Sequence, residues 1–156
     1  MDARRTAAPA SGRLARGGVF SPAPAQVVQT HQSLVFLTAD RAYKLKKPVL
    51  PARAASDVLA ARRRAAEEEV ALNRRLAASV YRGVVPLYRR ADGSYGLTGP
   101  GVVADWAIEM RRLDERLMLA RMIAEGRAGA GDLARVGDRL AAFYAALPPQ
   151  GRRPAA

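Results

Sequence analysis

Every lysine of this 156-residue chain lies in one short segment, RAYKLKKPV, residues 41–49. Lys44, Lys46 and Lys47 are three of the 26 lysine and arginine residues, so the other 23 cations are all arginine. An ammonium group is a compact charge with rotatable donors, whereas a guanidinium is a planar fork that favours one bidentate partner. We therefore expect Lys44 to bridge a carboxylate on one side and phosphate oxygens on the other. Lysine at a sheet edge also prevents strand pairing, and this simpler role suits Lys47.

The segment that follows supplies a candidate carboxylate. A helix is predicted from Ser56 onward, and its inward face is predicted from apolar residues at helical spacing: Val58, Ala61, Ala65, Leu72 and Leu76. Glu69 falls on the same stripe, where a carboxylate costs several kcal/mol unless it is paired. We predict Lys44 as its partner. The alternatives are water at the edge of the stripe, or Arg62 or Arg63 on the same helix.

The elements around these residues predict an α+β fold. Strand-like runs occupy residues 25–30, 34–40, 41–49, 84–99 and 104–113. Asp92 and Gly93 mark a hairpin turn, and two further helices are predicted from near Asp114 and near Asp132. The order β-β-β-α-β-β-α-α predicts a small antiparallel five-stranded sheet with one packed helix, followed by two C-terminal helices. The last helix carries an apolar stripe of Leu133, Val136, Leu140, Phe143 and Leu147.

The two ends of the chain differ in composition from its centre. Residues 1–24 are rich in Ala, Pro, Gly and Arg without periodicity, which predicts a flexible basic leader. Residues 149–156 predict a disordered tail for the same reason. Between them, residues 25–113 are predicted to form the sheet-and-helix lobe and residues 114–148 the later helices.

Composition excludes several classes of protein. The chain has no cysteine and a single histidine, His31, which excludes thiolate and multi-histidine metal sites. No apolar run reaches the roughly 20 residues that span a bilayer, and the N-terminus lacks a signal-peptide core. We expect a cytoplasmic protein with no membrane partner. The net charge of +12 suits nucleic acid, anionic lipid or nucleotide phosphates, although scattered arginines can also simply solvate helix faces.

Longer segments carry a resemblance to a known family. In order they are THQSLVFLTADRAYKLKKPV, EEEVALNRRLAASVYRGVVPL, and WAIEMRRL followed by LMLARMI. They resemble the aminoglycoside-phosphotransferase-like (protein-kinase-like) domain of bacterial proteins, which is often fused to a P-loop ATPase or kinase domain. The resemblance covers roughly residues 25–148. It implies a kinase-like N-lobe over residues 25–113 and partial C-lobe helices over residues 114–148.

The resemblance also implies a nucleotide site. Lys44 would contact the α- and β-phosphates of ATP, and Glu69 would orient it. The turn THQS would lie over the phosphates, with donors from His31 and Ser33. Met110 would lie near the adenine edge. On residue type alone, His31 is equally a surface turn residue and Met110 equally a core residue.

The chain departs from the family at the catalytic and magnesium-binding residues. Kinase-like phosphoryl transfer needs an aspartate at the acceptor hydroxyl, and Asn and Asp ligands for magnesium. The acids after Met110 are all expected at caps or exposed helix positions: Asp114, Glu115, Glu125, Asp132 and Asp138. We therefore expect an ATP-binding lobe that is inactive alone, whose Mg ligands lie outside this chain. Its expected partners are nucleotide and either a complementing C-lobe chain or a second copy. The alternatives are a protein-interaction module or a nucleic-acid-binding module, and sparse aromatic residues make nucleic acid the weaker partner.

Overall fold

The computed structural model of the protein describes residue 14, residues 19–20, residues 26–47 and residues 55–147. The chain divides into two compact units, one ending at Arg112 and one beginning at Leu113. The strands are β1 Gln26–Gln29, β2 Ser33–Leu37, β3 Arg41–Lys46, β4 Tyr81–Arg89, β5 Tyr95–Gly96 and β6 Val102–Arg111. The helices are α1 Ser56–Ala77, α2 Leu119–Ala124 and α3 Ala130–Ala145. In the described residues no helix is both long and apolar enough to cross a bilayer.

The first unit is an antiparallel sheet in the order β1-β2-β3-β6-β4-β5, with α1 packed on it. The α+β class is therefore confirmed, as are three strands before the long helix. The predicted count of five strands is wrong, because the run at 84–99 forms two strands on either side of a turn. Gly93 takes a positive φ of 82° in that turn. The two-residue β5 then pairs with Tyr88 and Arg89 at the sheet edge.

One face of the sheet holds the larger apolar core. Its buried side chains are Leu34, Phe36, Tyr43, Leu45, Leu87 and Ala107, together with Leu14, Val19 and Phe20. Burial, and then the nearby carboxylate of Glu109, raises the pKa of the Tyr43 hydroxyl. Leu14, Val19 and Phe20, which lie within the predicted leader, are thus buried in this core. The rest of residues 1–24 and the predicted tail at 149–156 lie outside the described residues.

The other face of the sheet is covered by α1. Ala66 and Val70 are buried against Ile108 of β6. The predicted inward stripe is wrong for four of its residues, since Val58, Ala61, Leu72 and Leu76 are exposed, while Ala65 is half-buried. The helix is turned so that small residues approach the sheet and Arg62 and Glu69 reach charged partners on it. Ser56 is the first helical residue, as predicted, and Ala55 occupies the N-cap position without a side-chain hydrogen bond.

The second unit contains a 3₁₀ turn, Glu115–Leu117, followed by α2 and α3, so the two C-terminal helices are confirmed. Asp114 accepts a bond from the backbone N–H of Arg116, whose guanidinium is the main cause of lowering the Asp114 pKa to about 2. None of the described residues 113–147 is buried. Leu133, Val136 and Leu140 of the predicted apolar stripe are among the exposed ones.

Two glycines give a matched test of the backbone. Gly101 has φ +156°, and a Cβ there would lie 2.6 Å from the carbonyl oxygen of Arg89. Gly101→Ala is expected to destabilise the protein by about 1–3 kcal/mol, since backbone must shift to relieve that clash. Gly137 lies within α3, where an added Cβ would meet nothing within 4 Å, so Gly137→Ala should stabilise by roughly 0.5–1 kcal/mol. Urea unfolding followed by circular dichroism measures both, and shifts in the same direction would contradict this account.

Candidate functional site

Lys44 lies in the middle of β3, opposite Val35 of β2 and Ile108 of β6. Cross-strand partners share a face of the sheet, so these three side chains lie on the face that α1 covers. The Lys44 Nζ donates a hydrogen bond of 2.7 Å to Glu69 Oε1. The predicted contact between this lysine and this glutamate is therefore confirmed.

The alternative partners of Glu69 are occupied elsewhere. The guanidinium of Arg62 pairs with Asp105 of β6, and that of Arg63 pairs with Glu67 on the same helix at 2.8 Å. Water at the edge of the stripe is also a minor factor, because only 19% of the Glu69 side chain is exposed. The carboxylate is turned inward and finds its cation on the sheet, as a half-buried charge must.

The lysine is less enclosed than its partner. The Lys44 side chain is 30% exposed, and an ammonium has three donors, of which Glu69 takes one. Lys46, two residues along the strand, places its Nζ 4.0 Å from Glu69 Oε2. One carboxylate therefore lies between two ammonium groups, and both ammonium groups remain partly open to an anion.

Ser33 lies directly opposite Lys46 and is buried. Its backbone N–H donates to Thr30 Oγ1 at 3.0 Å, while its carbonyl accepts the Thr30 N–H at 2.9 Å. The Ser33 backbone donor that the sequence offered for phosphate is thus used within the turn, which leaves only its hydroxyl. His31 is exposed in the same turn. The turn is fixed to the end of β3, since the Lys47 N–H donates to the Gln32 carbonyl at 2.8 Å.

Met110 lies opposite Ala42, two residues before Lys44 on β3. Its side chain is half-buried and packs on the cluster that Ala66, Val70 and Ile108 form beneath α1. The structure therefore brings Ser33, Lys44 and Met110 onto one sheet face with Glu69 above it, and it gives Met110 a place in the core.

A second charged pair beside the first was not predicted. Arg62 holds Asp105 in a bidentate contact, Nε to Oδ1 at 2.8 Å and Nη2 to Oδ2 at 2.8 Å. Asp105 is 1% exposed, and its Oδ1 also accepts the backbone N–H of Trp106 at 2.8 Å. The same Arg62 Nη2 donates to the carbonyl of Lys46 at 2.8 Å. An acid between the apolar neighbours Ala104 and Trp106 was the available signal, but nothing in the sequence names its partner.

The two pairs border one recess on the helix-covered face. Its lining residues are Lys44, Lys46, Arg62, Ala66, Trp106 and Ile108. The Nε1 of Trp106 is buried and has no hydrogen-bond partner among the described residues, and the Arg63 guanidinium lies 4.9 Å from the centre of its ring. Three cations line this recess, two from β3 and one from α1, which favours an anionic ligand. Across the described ranges no group of three or more His, Cys, Asp or Glu residues is placed to hold a metal ion.

Comparison with known proteins gives similarity without a named family. No family model and no solved structure matches the chain. The chain is similar to the uncharacterized protein Rv2004c of Mycobacterium tuberculosis (strain ATCC 25618 / H37Rv), with 37% identity over 118 residues, or 76% of this chain. The uncharacterized protein Mb2027c of Mycobacterium bovis (strain ATCC BAA-935 / AF2122/97) matches with the same identity and coverage. The chain spans 22% of the length of these relatives.

Proposed function

We propose that residues 25–113 are the nucleotide-binding lobe of a kinase-like phosphotransferase of the aminoglycoside-phosphotransferase superfamily, and that residues 114–148 begin its second lobe. The observation that carries this proposal is the 2.7 Å contact between Lys44 on the third strand and Glu69 on the helix that follows. In protein kinases the same two elements supply the lysine and glutamate that hold the ATP phosphates.

Within this proposal each member of the pair has a distinct task. Glu69 fixes the position of the Lys44 ammonium, and the remaining donors of Lys44 contact phosphate oxygens. The phosphates are proposed to approach Lys44 from its solvent-exposed side. ATP is the proposed cofactor, with Mg bound to its phosphates and to ligands that the described residues do not supply.

Phosphoryl transfer needs further residues, and three of the five acids of the second unit are held in ion pairs. Asp114 is held by Arg116, Glu125 by Arg121 and Arg127, and Asp132 by Arg135. We therefore assign no catalytic residue to the described chain and propose that it transfers no phosphoryl group alone. A complementing C-lobe chain would add the catalytic loop. Either that chain or a second copy of this one would cover the exposed apolar residues of α3.

Nucleotide binding by the full chain tests the proposal. Isothermal titration with magnesium-ATP is expected to give a dissociation constant of about 0.1–1 mM, because the described residues supply only one side of the proposed cleft. Lys44→Met removes a charged donor at nearly constant volume and should weaken binding by roughly 10- to 100-fold. Glu69→Gln should weaken it less, since the amide still accepts a bond from the lysine.

Glu67→Gln is the matched control for Glu69→Gln. It removes the same charge from the same helix, but Glu67 is about half exposed and pairs with Arg63. Its affinity for magnesium-ATP should equal that of the unmodified chain. The proposal is contradicted when Lys44→Met binds ATP as tightly as the unmodified chain, or when none of the proteins binds it.

A second candidate function is nucleic-acid binding, which the net charge of +12 favours. The described sheet argues against a stacking platform, because Phe36 and Tyr43 are buried in the core. A gel shift at about 50 mM salt separates the candidates. Binding that Lys44→Met leaves unchanged would favour nucleic acid over nucleotide.

A further inference from the structure

We infer that Lys46 is a second phosphate-contacting residue, and that Lys44 and Lys46 together favour a nucleoside triphosphate over a monophosphate. This inference rests on the proposed nucleotide site and adds a specificity residue to it. It follows from how charge is distributed around the recess, from where Lys46 lies, and from what holds its backbone.

The charges of the recess do not cancel. Arg62 is matched by the buried carboxylate of Asp105 through two bonds of 2.8 Å. Lys44 is matched by Glu69 at 2.7 Å, whereas Lys46 reaches only the second oxygen of that same carboxylate, at 4.0 Å. Three cations thus share two acids, and the unmatched positive charge belongs to Lys46. A polyphosphate supplies the negative charge that this recess lacks.

Lys46 also lies along the direction in which a phosphate chain would extend. It shares the sheet face of Lys44 two residues further on, which is roughly 7 Å along the strand. It is directly opposite Ser33, so it is adjacent to the turn that links β1 and β2. A chain of phosphates that starts at Lys44 and runs toward this turn passes Lys46.

The backbone of Lys46 is held while its side chain stays available. Its carbonyl accepts a bond from Arg62 Nη2, and the next peptide N–H donates to the Gln32 carbonyl. The Lys46 side chain is nevertheless 45% exposed. Its neighbour Lys47 differs, because the Lys47 Nζ donates to the Thr30 carbonyl at 2.7 Å. Lys47 is therefore a matched control, with the same charge one residue away and a different partner.

The recess contains an intrinsic fluorescent side chain that can report ligand binding. Trp106 is the single tryptophan of the chain and lines the recess together with Lys44 and Lys46. Binding of an anion beside this indole is expected to change its fluorescence. The signal comes from the recess alone and needs no label.

The experiment titrates the full chain, Lys46→Gln and Lys47→Gln with magnesium-ATP, AMP and inorganic tripolyphosphate, following Trp106 fluorescence. Lys46→Gln is expected to weaken ATP and tripolyphosphate by about 10-fold and AMP by less than about 2-fold. Lys47→Gln should change all three by less than about 2-fold. Thermal unfolding of each variant verifies that it is folded; Lys46 is exposed and Lys47 is half-buried.

The outcomes separate this inference from the proposed function. Equal losses in the two lysine variants, or no loss in Lys46→Gln, overturn the role of Lys46. ATP binding that depends on Lys44 and not on Lys46 overturns only the inference. Tripolyphosphate binding through Lys46 without ATP binding supports the anion site and overturns the nucleotide lobe. Absence of binding by all three probes overturns both.

Discussion

Replacing Phe20 with alanine is expected to lower the free energy of unfolding by about 3–5 kcal/mol. The Phe20 ring is 0% exposed and stacks on the rings of Phe36 at 4.6 Å and Tyr43 at 4.8 Å. Truncation removes the transfer free energy of the ring, leaves a cavity over β2 and β3, and ends two aromatic contacts. Urea unfolding followed by Trp106 fluorescence measures the loss.

Two further variants define what the Phe20 result means. Phe20→Leu keeps most of the buried volume and should lose no more than about 1.5 kcal/mol. Tyr144→Ala truncates an aromatic side chain that is 66% exposed on α3, and its effect should stay below about 1 kcal/mol. A change below about 0.5 kcal/mol in Phe20→Ala would return residue 20 to the flexible leader that its composition predicts.

The burial of three residues within the predicted leader was not predictable from the sequence, because it depends on distant residues. Leu14, Val19 and Phe20 stand among Ala, Pro, Gly and Arg at no helical or strand spacing. Periodicity therefore cannot assign them to the buried side of a helix or strand. The face that covers Phe20 is formed by β2 and β3, which become a surface only when the sheet is assembled. Single-segment composition does not contain that information.

The elements that were predicted correctly have local signals. Alternation identifies β3 and β6, and the Asp92–Gly93 pair fits a turn that needs positive φ. The contact between Lys44 and Glu69 was also predictable, because an acid on an inward stripe requires a cation and the preceding strand offers one.

The sequence did not determine which side of α1 faces the sheet. The helix is rich in alanine, so apolar residues fall on several of its sides and more than one stripe fits the helical period. The side that carries Leu72 and Leu76 was predicted to face inward because its side chains are large and apolar. In the structure the sheet instead takes Ala66 and Val70, and Leu72 is 61% exposed. The charges at Arg62 and Glu69 help to decide the rotation, since each finds its partner only in this orientation.

Breaking the pair of Arg62 and Asp105 is expected to cost about 3–5 kcal/mol, because each single change leaves a buried group without its partner. Asp105→Asn removes the charge that matches a guanidinium whose side chain is only 16% exposed. Arg62→Met leaves the carboxylate of Asp105 inside the protein and also frees the Lys46 carbonyl. Urea unfolding of both variants at pH 7 measures these losses.

The double variant Arg62→Met/Asp105→Asn distinguishes a buried ion pair from two independent contacts. Independent contacts add, which would place the double variant about 6–10 kcal/mol below the unmodified protein. A coupled pair does not add, because removing the second charge relieves the penalty created by removing the first. We expect the double variant to be more stable than either single variant. The exposed pair of Arg63 and Glu67 on the same helix is the control, and breaking it with Glu67→Gln should cost less than about 0.5 kcal/mol.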